Sequence, residues 1–246
     1  MIKESWVDRY PIHSYEVDQQ SRLSIVSAIN YFQESAWRNA EALGLGFNDL
    51  AAKDRFWVLS RLCIEMYHYP LWGEVIQLET WPKGMESLFA LRDFRIKSSD
   101  GKELLGAGTS AWLIIDGTTH RLQRVEHVCG DMPYYPQNAL DRTPGKITLA
   151  AEMTSQTRIT AGYLDVDVNA HVNNVCYLNW AMNYIPLDSK SLTVRSAEIN
   201  FLSEARLHSP VEILYGSDSE QIWVCSIRNP DTGKEYCRVK LTIEGK

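Results

Sequence analysis

The sequence predicts an α+β protein made of two fused domains of the same kind. Three observations predict it. Each half has one amphipathic helix pattern, each helix is followed by a series of strand-like runs, and a proline-rich stretch separates the halves.

In the first half the helix pattern covers residues 21 to about 44. Ile25, Ile29, Phe32, Ala36, Ala40 and Leu43 recur at spacings of three and four; Ser21 can cap the start and Gly44 the end. A long strand pattern follows in "FWVLSRLCIEMYHY". There Phe56, Val58, Leu62, Ile64 and Met66 are expected on one face, with Arg61 and Glu65 on the other. "EVIQLETW", "SLFALRDFRIKS" and "ELLGAGTSAWLIID" read as further strands, and "SDGK" as a hairpin turn between the last two. Pro133, Pro136, Pro144 and Gly145 then interrupt any regular pattern, which marks a linker. The domains are therefore expected at residues 1–133 and 156–246, joined by 134–155.

The second half repeats the order. An extended segment (157–171) leads into a shorter helix (about 173–185), stopped before Pro186. Strand-like runs follow in "LTVRSAEINFL", "PVEILYG", "QIWVCSIRN" and "EYCRVKLTIE", with "NPDTGK" as a turn. Laying Asn30-Tyr31-Phe32 on Cys176-Tyr177-Leu178 aligns the halves. A period this long means two fused domains and not a solenoid.

Composition bounds the function. The chain has 246 residues, 45% of them hydrophobic, enough for a sizeable core. The net charge of −6 gives no global field for nucleic acid. The five cysteines are scattered without a CxxC pair, so neither a zinc knuckle nor a disulfide framework is indicated. The first residues lack the apolar core of a signal peptide, and no run approaches the roughly 20 apolar residues of a membrane span. The expectation is a cytoplasmic protein.

The candidate chemistry lies in "DVDVNAHVNNVCYLNWAM". If the stretch is extended, Asp167, Asn169 and His171 share one face. His171 can move a proton near neutrality, Asn169 can donate to a developing oxyanion, and Asp167 can orient both. The N–H groups opening the next helix, near Asn173 to Val175, add positive potential. The alternative is a capped loop in which Asn173 or Asn174 does no more than cap. A metal held by Asp167 and His171 lacks a third ligand at fixed spacing. The alignment above sets Ser21, Leu23 and Ile25 opposite the trio, so the first half is expected to lack it, which favours a site. Glu204, at the end of "AEINFLSEARL", is either a surface acid or a general base facing the same helix.

These residues resemble the acyl-acyl-carrier-protein (acyl-ACP) thioesterases of plants and bacteria. The family's Asp-x-Asn-x-His-Val-Asn-Asn run with a later Glu matches Asp167, Asn169, His171, Val172, Asn173, Asn174 and Glu204. "FWVLSRLCIEMYHYPLWGE" and "TSAWLIIDGTTHRLQRV" are similar to stretches of the family's first half, so the resemblance runs from about residue 10 to the C-terminus. It implies a tandem hotdog fold, each domain a helix wrapped by an antiparallel sheet. The N-terminal hotdog would shape the acyl pocket, and the C-terminal one would carry Asp167, Asn169, His171 and Glu204 as catalytic residues. It implies hydrolysis of fatty acyl-ACP in fatty acid metabolism, with acyl carrier protein as partner. No cofactor is expected, since the substrate brings its own phosphopantetheine. Two fused hotdogs would serve as a monomer or homodimer. Plant members carry a cysteine directly after the glutamate; here it is Ala205. Cys176, among apolar helix positions, reads as a packing residue. Direct attack by water follows, with His171 and Glu204 both open as the principal base. An acyl-CoA thioesterase, a non-catalytic acyl-binding hotdog and a hotdog dehydratase are the competing readings. A carrier-protein partner calls for a basic patch, for which Arg121, Arg124, Arg142, Lys146 and Arg158 are the candidates, unless they are ordinary solvated charges.

Overall fold

The computed structural model describes residues 5–186 and 193–244. The chain divides into an N-terminal unit, Met1–Pro144, and a C-terminal unit, Gly145–Lys246.

The N-terminal unit opens with β1 (Trp6–Pro11), followed by α1 (Ile25–Ala42), a short α2 (Phe47–Ala51), β2 (Arg55–Met66), β3 (Val75–Glu86), β4 (Phe89–Ser98), β5 (Leu104–Asp116), a two-residue β6 (Leu122–Gln123) and a short α3 (Val125–Cys129). The strands pair antiparallel in the order β1-β3-β4-β5-β2, with β6 on β5. The expected strand runs all appear. The "SDGK" turn appears too, with Gly101 at φ +76° and its N–H on the Ser98 carbonyl.

Helix α1 starts later than Ser21, which sits at φ +61° in the preceding turn; Ser24 caps instead, its Oγ accepting the Ser27 N–H at 3.0 Å. Gly44 ends the helix at φ +69° as expected. The buried face runs through Ile25, Ile29, Phe32 and Ala36 but continues into Asn39 rather than Leu43. A buried amide is tolerable there because its Oδ1 accepts from the Arg92 guanidinium at 2.8 Å. Phe32 stacks flat on Phe94, with ring centroids 4.2 Å apart. It fits only because β5 has Gly108 beneath it, where a Cβ would lie 2.3 Å from Cε2 of Phe32.

Strand β2 corrects its expected faces. Its register against β5 slips between Leu59 and Arg61, so Ser60 bulges. The alternation changes phase there. Leu59 joins Leu62, Ile64 and Met66 in the core, whereas Phe56 and Val58 turn to the other face and are only partly buried.

The C-terminal unit repeats the design with β7 (Thr154–Thr160), α4 (Asn174–Tyr184), β8 (Val194–Phe201), β9 (Pro210–Ser219), β10 (Ile222–Arg228) and β11 (Glu235–Ile243). The strand order is β7-β9-β10-β11-β8, the same order as the five main strands of the first unit; β6, α2 and α3 have no counterpart among the described residues. Leu192, at the head of the expected β8 run, lies outside the described residues. Val175, Tyr177, Leu178, Trp180 and Ala181 form the buried side of α4. The buried Tyr215 hydroxyl of β9 donates to the Ala181 carbonyl at 2.6 Å and ties strand to helix. The "NPDTGK" turn is held by Asn229, whose Oδ1 accepts from the N–H groups of Asp231 and Thr232.

Candidate active site

Between β7 and α4 the chain does not stay extended. Tyr163–Asp165 form a single 3₁₀ turn, and Val166 pairs with Val172 across a short bridge. Within that bridge the Asp167 N–H donates to the His171 carbonyl (2.9 Å), and the Ala170 N–H to the Asp167 carbonyl (3.0 Å). Ala170 takes φ +60° to close the turn. Asp167 Oδ1 accepts the Asn169 N–H at 2.8 Å. The expected period-two face is thus replaced by a tight turn, because an aspartate can bond its own backbone two residues on and so competes with extension.

The same hydrogen bonds recur in the N-terminal unit, and they correct the internal alignment by three positions. The Asp18 N–H donates to the Arg22 carbonyl, the Ser21 N–H to the Asp18 carbonyl, and Asp18 Oδ1 accepts the Gln20 N–H. Val17 bridges to Leu23, and Ser24 occupies the cap position that Asn173 holds in the second unit. Asp18, Gln20 and Arg22 therefore stand opposite Asp167, Asn169 and His171. The first copy does not lack a polar trio; it has a different one. The aspartate does the same work for the turn in both copies, so that part of the trio belongs to the fold.

The second tether is also duplicated. The Leu23 N–H donates to the Pro70 carbonyl, as the Val172 N–H donates to the Ala205 carbonyl (2.9 Å). Tyr69 and Glu204, each one residue earlier, are then equivalent. In the first unit Arg22 lies over the Tyr69 ring, 5.2 Å from its centroid, and pairs with Asp18. In the second unit His171 Nε2 lies 3.1 Å from Glu204 Oε2. The imidazole is about one quarter exposed and the carboxylate about half, so both reach solvent while touching.

Of the four residues expected to form the site, the structure brings His171 and Glu204 into direct contact. Asp167 serves the turn, and Asn169 is exposed at its tip. The helix terminus is less open than expected. The Asn173 side chain caps α4 by accepting the Val175 N–H; the Asn173 N–H donates to the Asp165 carbonyl and the Cys176 N–H to the Asn173 carbonyl. Three N–H groups there are thus already used. The Cys176 thiol is pushed up to about 11, by burial first and then by Asp165, so it stays protonated near neutral pH.

Among the described residues no three His, Cys, Asp or Glu side chains stand close enough to hold a metal ion, and none of the helices is long and apolar enough to cross a membrane. Of the five candidate docking cations, Arg142 is paired with Glu65 (2.8 Å) and Arg158 with Glu212 (3.0 Å); Arg121, Arg124 and Lys146 are exposed.

Comparison with known proteins matches residues 3–130 to the acyl-ACP thioesterase N-terminal domain and residues 149–244 to the acyl-ACP thioesterase C-terminal domain. A palmitoyl-acyl carrier protein thioesterase, chloroplastic, of Gossypium hirsutum is 31% identical over 191 residues, covering 72% of this chain and 46% of that protein. An oleoyl-acyl carrier protein thioesterase 1, chloroplastic, of Arabidopsis thaliana is 28% identical over 88% of this chain and 65% of its own length. The chain thus spans about half to two thirds of these relatives. Among solved structures, an acyl-ACP thioesterase from Bacteroides thetaiotaomicron superposes with a TM-score of 0.85 at 24% identity, covering 97% of both chains. A 12:0-ACP thioesterase from Umbellularia californica gives 0.84 at 23%, covering 98% of both. At these identities the superpositions establish the fold, a tandem hotdog.

Proposed function

As the chain belongs to the acyl-ACP thioesterase family, we propose that it hydrolyses fatty acyl-ACP to free fatty acid and holo-ACP, by direct attack of water. The observation that carries the reading is the His171–Glu204 contact, present in the C-terminal turn and replaced by Arg22 and Tyr69 in its internal copy. A turn required by the fold alone has no need of that exchange.

In this reading Glu204, hydrogen-bonded through His171, takes a proton from water as the oxygen attacks the thioester carbonyl. Asn169 meets the oxyanion, and Asp167 holds the turn that presents both Asn169 and His171. The carbon–sulfur bond then breaks, and the phosphopantetheine sulfur leaves with the proton. Ala205 leaves no thiol beside the glutamate, and the raised Cys176 is a poor nucleophile. We assign the acyl-chain pocket to the N-terminal unit, which lacks the pair, and place the enzyme in fatty acid biosynthesis as a monomer or homodimer. Five cysteines without a disulfide suit a reducing compartment such as the cytoplasm, whereas the curated relatives above are named chloroplastic.

The test is a panel of acyl-ACPs of varied chain length beside matched acyl-CoAs, across ionic strength, with free fatty acid as readout. Faster release from acyl-ACP, with an advantage that shrinks as salt rises, supports the reading. Faster release from acyl-CoA at every salt assigns the chain to acyl-CoA, and saturable binding without release makes it an acyl-binding protein.

A further inference from the structure

The loop that carries Glu204 is held by a bond that the reaction scheme above does not use. Tyr177 lies one turn into α4, with its residue 3% exposed. Its hydroxyl oxygen accepts the N–H of Ala205 at 3.0 Å, so the tether falls on the residue directly after the glutamate. The ring is fixed edge-on by Trp180 (5.4 Å between centroids) and Phe201 (6.1 Å). Burial is the largest influence on the phenol and holds it well above its ordinary value, so it remains a neutral group. Together with the Val172 N–H on the Ala205 carbonyl, the loop is gripped on both sides of one residue.

The internal repeat supplies the control. At the equivalent positions the first unit has Ala28 in place of Tyr177 and Pro70 in place of Ala205. Alanine has no hydroxyl to accept, and proline has no N–H to donate. The carbonyl-side tether is nevertheless kept, from the Leu23 N–H to the Pro70 oxygen. The fold therefore closes this loop without the phenol tether. Both ends of the bond are absent in the copy that has Tyr69 where the catalytic copy has Glu204.

We propose that Tyr177 is a positioning residue. Through the Ala205 N–H it fixes the Glu204 carboxylate at contact distance from His171. The inference rests on the assignment of Glu204 as a catalytic residue.

The experiment measures kcat and KM on one acyl-ACP with the full chain and with Y177F, A205P, E204Q and Y177F/E204Q. A205P removes the same bond from its other end, with a residue the first unit already accommodates there, and carries the test should Y177F not fold. A displacement of about 1 Å costs on the order of 100-fold, so a kcat loss of roughly 10- to 100-fold is expected in Y177F and A205P, with KM nearly unchanged. Because Tyr177 acts through Glu204, Y177F is expected to add no further loss to E204Q. Normal kcat in Y177F and A205P while E204Q is slow overturns the proposal alone. An undiminished Y177F effect in the E204Q background also overturns it, since the tyrosine would then act elsewhere. Normal turnover by E204Q overturns the underlying site assignment and the positioning role with it.

Discussion

If His171 and Glu204 form one base, removing either should cost nearly as much as removing both. Their atoms lie 3.1 Å apart, within hydrogen-bonding reach. A positioned general base contributes about 10²- to 10⁴-fold, or roughly 3–5 kcal/mol at 1.36 kcal/mol per tenfold. E204Q keeps the side chain's size but removes its ability to take a proton, and H171A removes the imidazole. Each is expected to lower kcat within that range while KM stays close to normal. H171A/E204Q is expected to be no worse than the slower single variant by more than a few-fold, since residues acting as a unit are non-additive. Independent roles would instead multiply, giving about 10⁴- to 10⁸-fold. The pair is partly exposed, so its contribution to folding is at most about 1 kcal/mol, and a collapse of activity cannot be laid to unfolding. The assay is release of free thiol from acyl-ACP, with thermal melts alongside. Multiplicative losses would refute the single-base reasoning, and near-normal turnover in both single variants would remove the pair from the chemistry.

Two further outcomes test the framework around the site. Gly108→Ala forces a Cβ to within 2.3 Å of the Phe32 ring, which is stacked on Phe94, the cross-strand neighbour of Gly108, so it is expected to cost about 1–3 kcal/mol. That corresponds to a drop in Tm of roughly 3–10 °C, shrinking in a Phe32→Leu background; an unchanged Tm in G108A would contradict the packing described. Glu212 of β9 is held below its ordinary 4.5, first by the Arg228 hydrogen bond and then by Arg158 and Ser155. A depressed carboxylate stabilises fully above its unfolded value and loses that stabilisation as pH falls through its folded value. The stability gap between the wild-type chain and E212Q should therefore be flat from neutral pH to about 5 and narrow as pH falls below the ordinary 4.5 in urea titrations, whereas a gap that does not narrow on acidification would assign it to something other than the charge.

The sequence carried most of the architecture. The stripe at Ile25, Ile29, Phe32 and Ala36 and the alternation in the long strands are strong signals because they repeat over several turns or pairs. Helices α2 and α3 are five residues each and bury only Leu50 and Val125, too little for a period to show. Strand β1 alternates in burial over only six residues, too short a run for its period to stand out. The Ser60 bulge changes phase without any glycine or proline to announce it. The internal alignment slipped by three positions because a helical stripe recurs every three to four residues, so apolar residues still fell on apolar residues. The turn itself was readable from Asp18-Gln19-Gln20 and Asp167-Val168-Asn169, where an aspartate precedes the amide it bonds. Tyr177 carried no signal of its role, because a tyrosine on a buried helix face looks like packing until its hydroxyl partner is placed.

Single-turnover hydrolysis in ¹⁸O-water, with enzyme in excess over acyl-ACP, bears most directly on the claim that water attacks the thioester. Direct attack places one ¹⁸O in the released fatty acid and none in the peptide containing Glu204. Label in that peptide would show that Glu204 had carried the acyl group, and would contradict the mechanism.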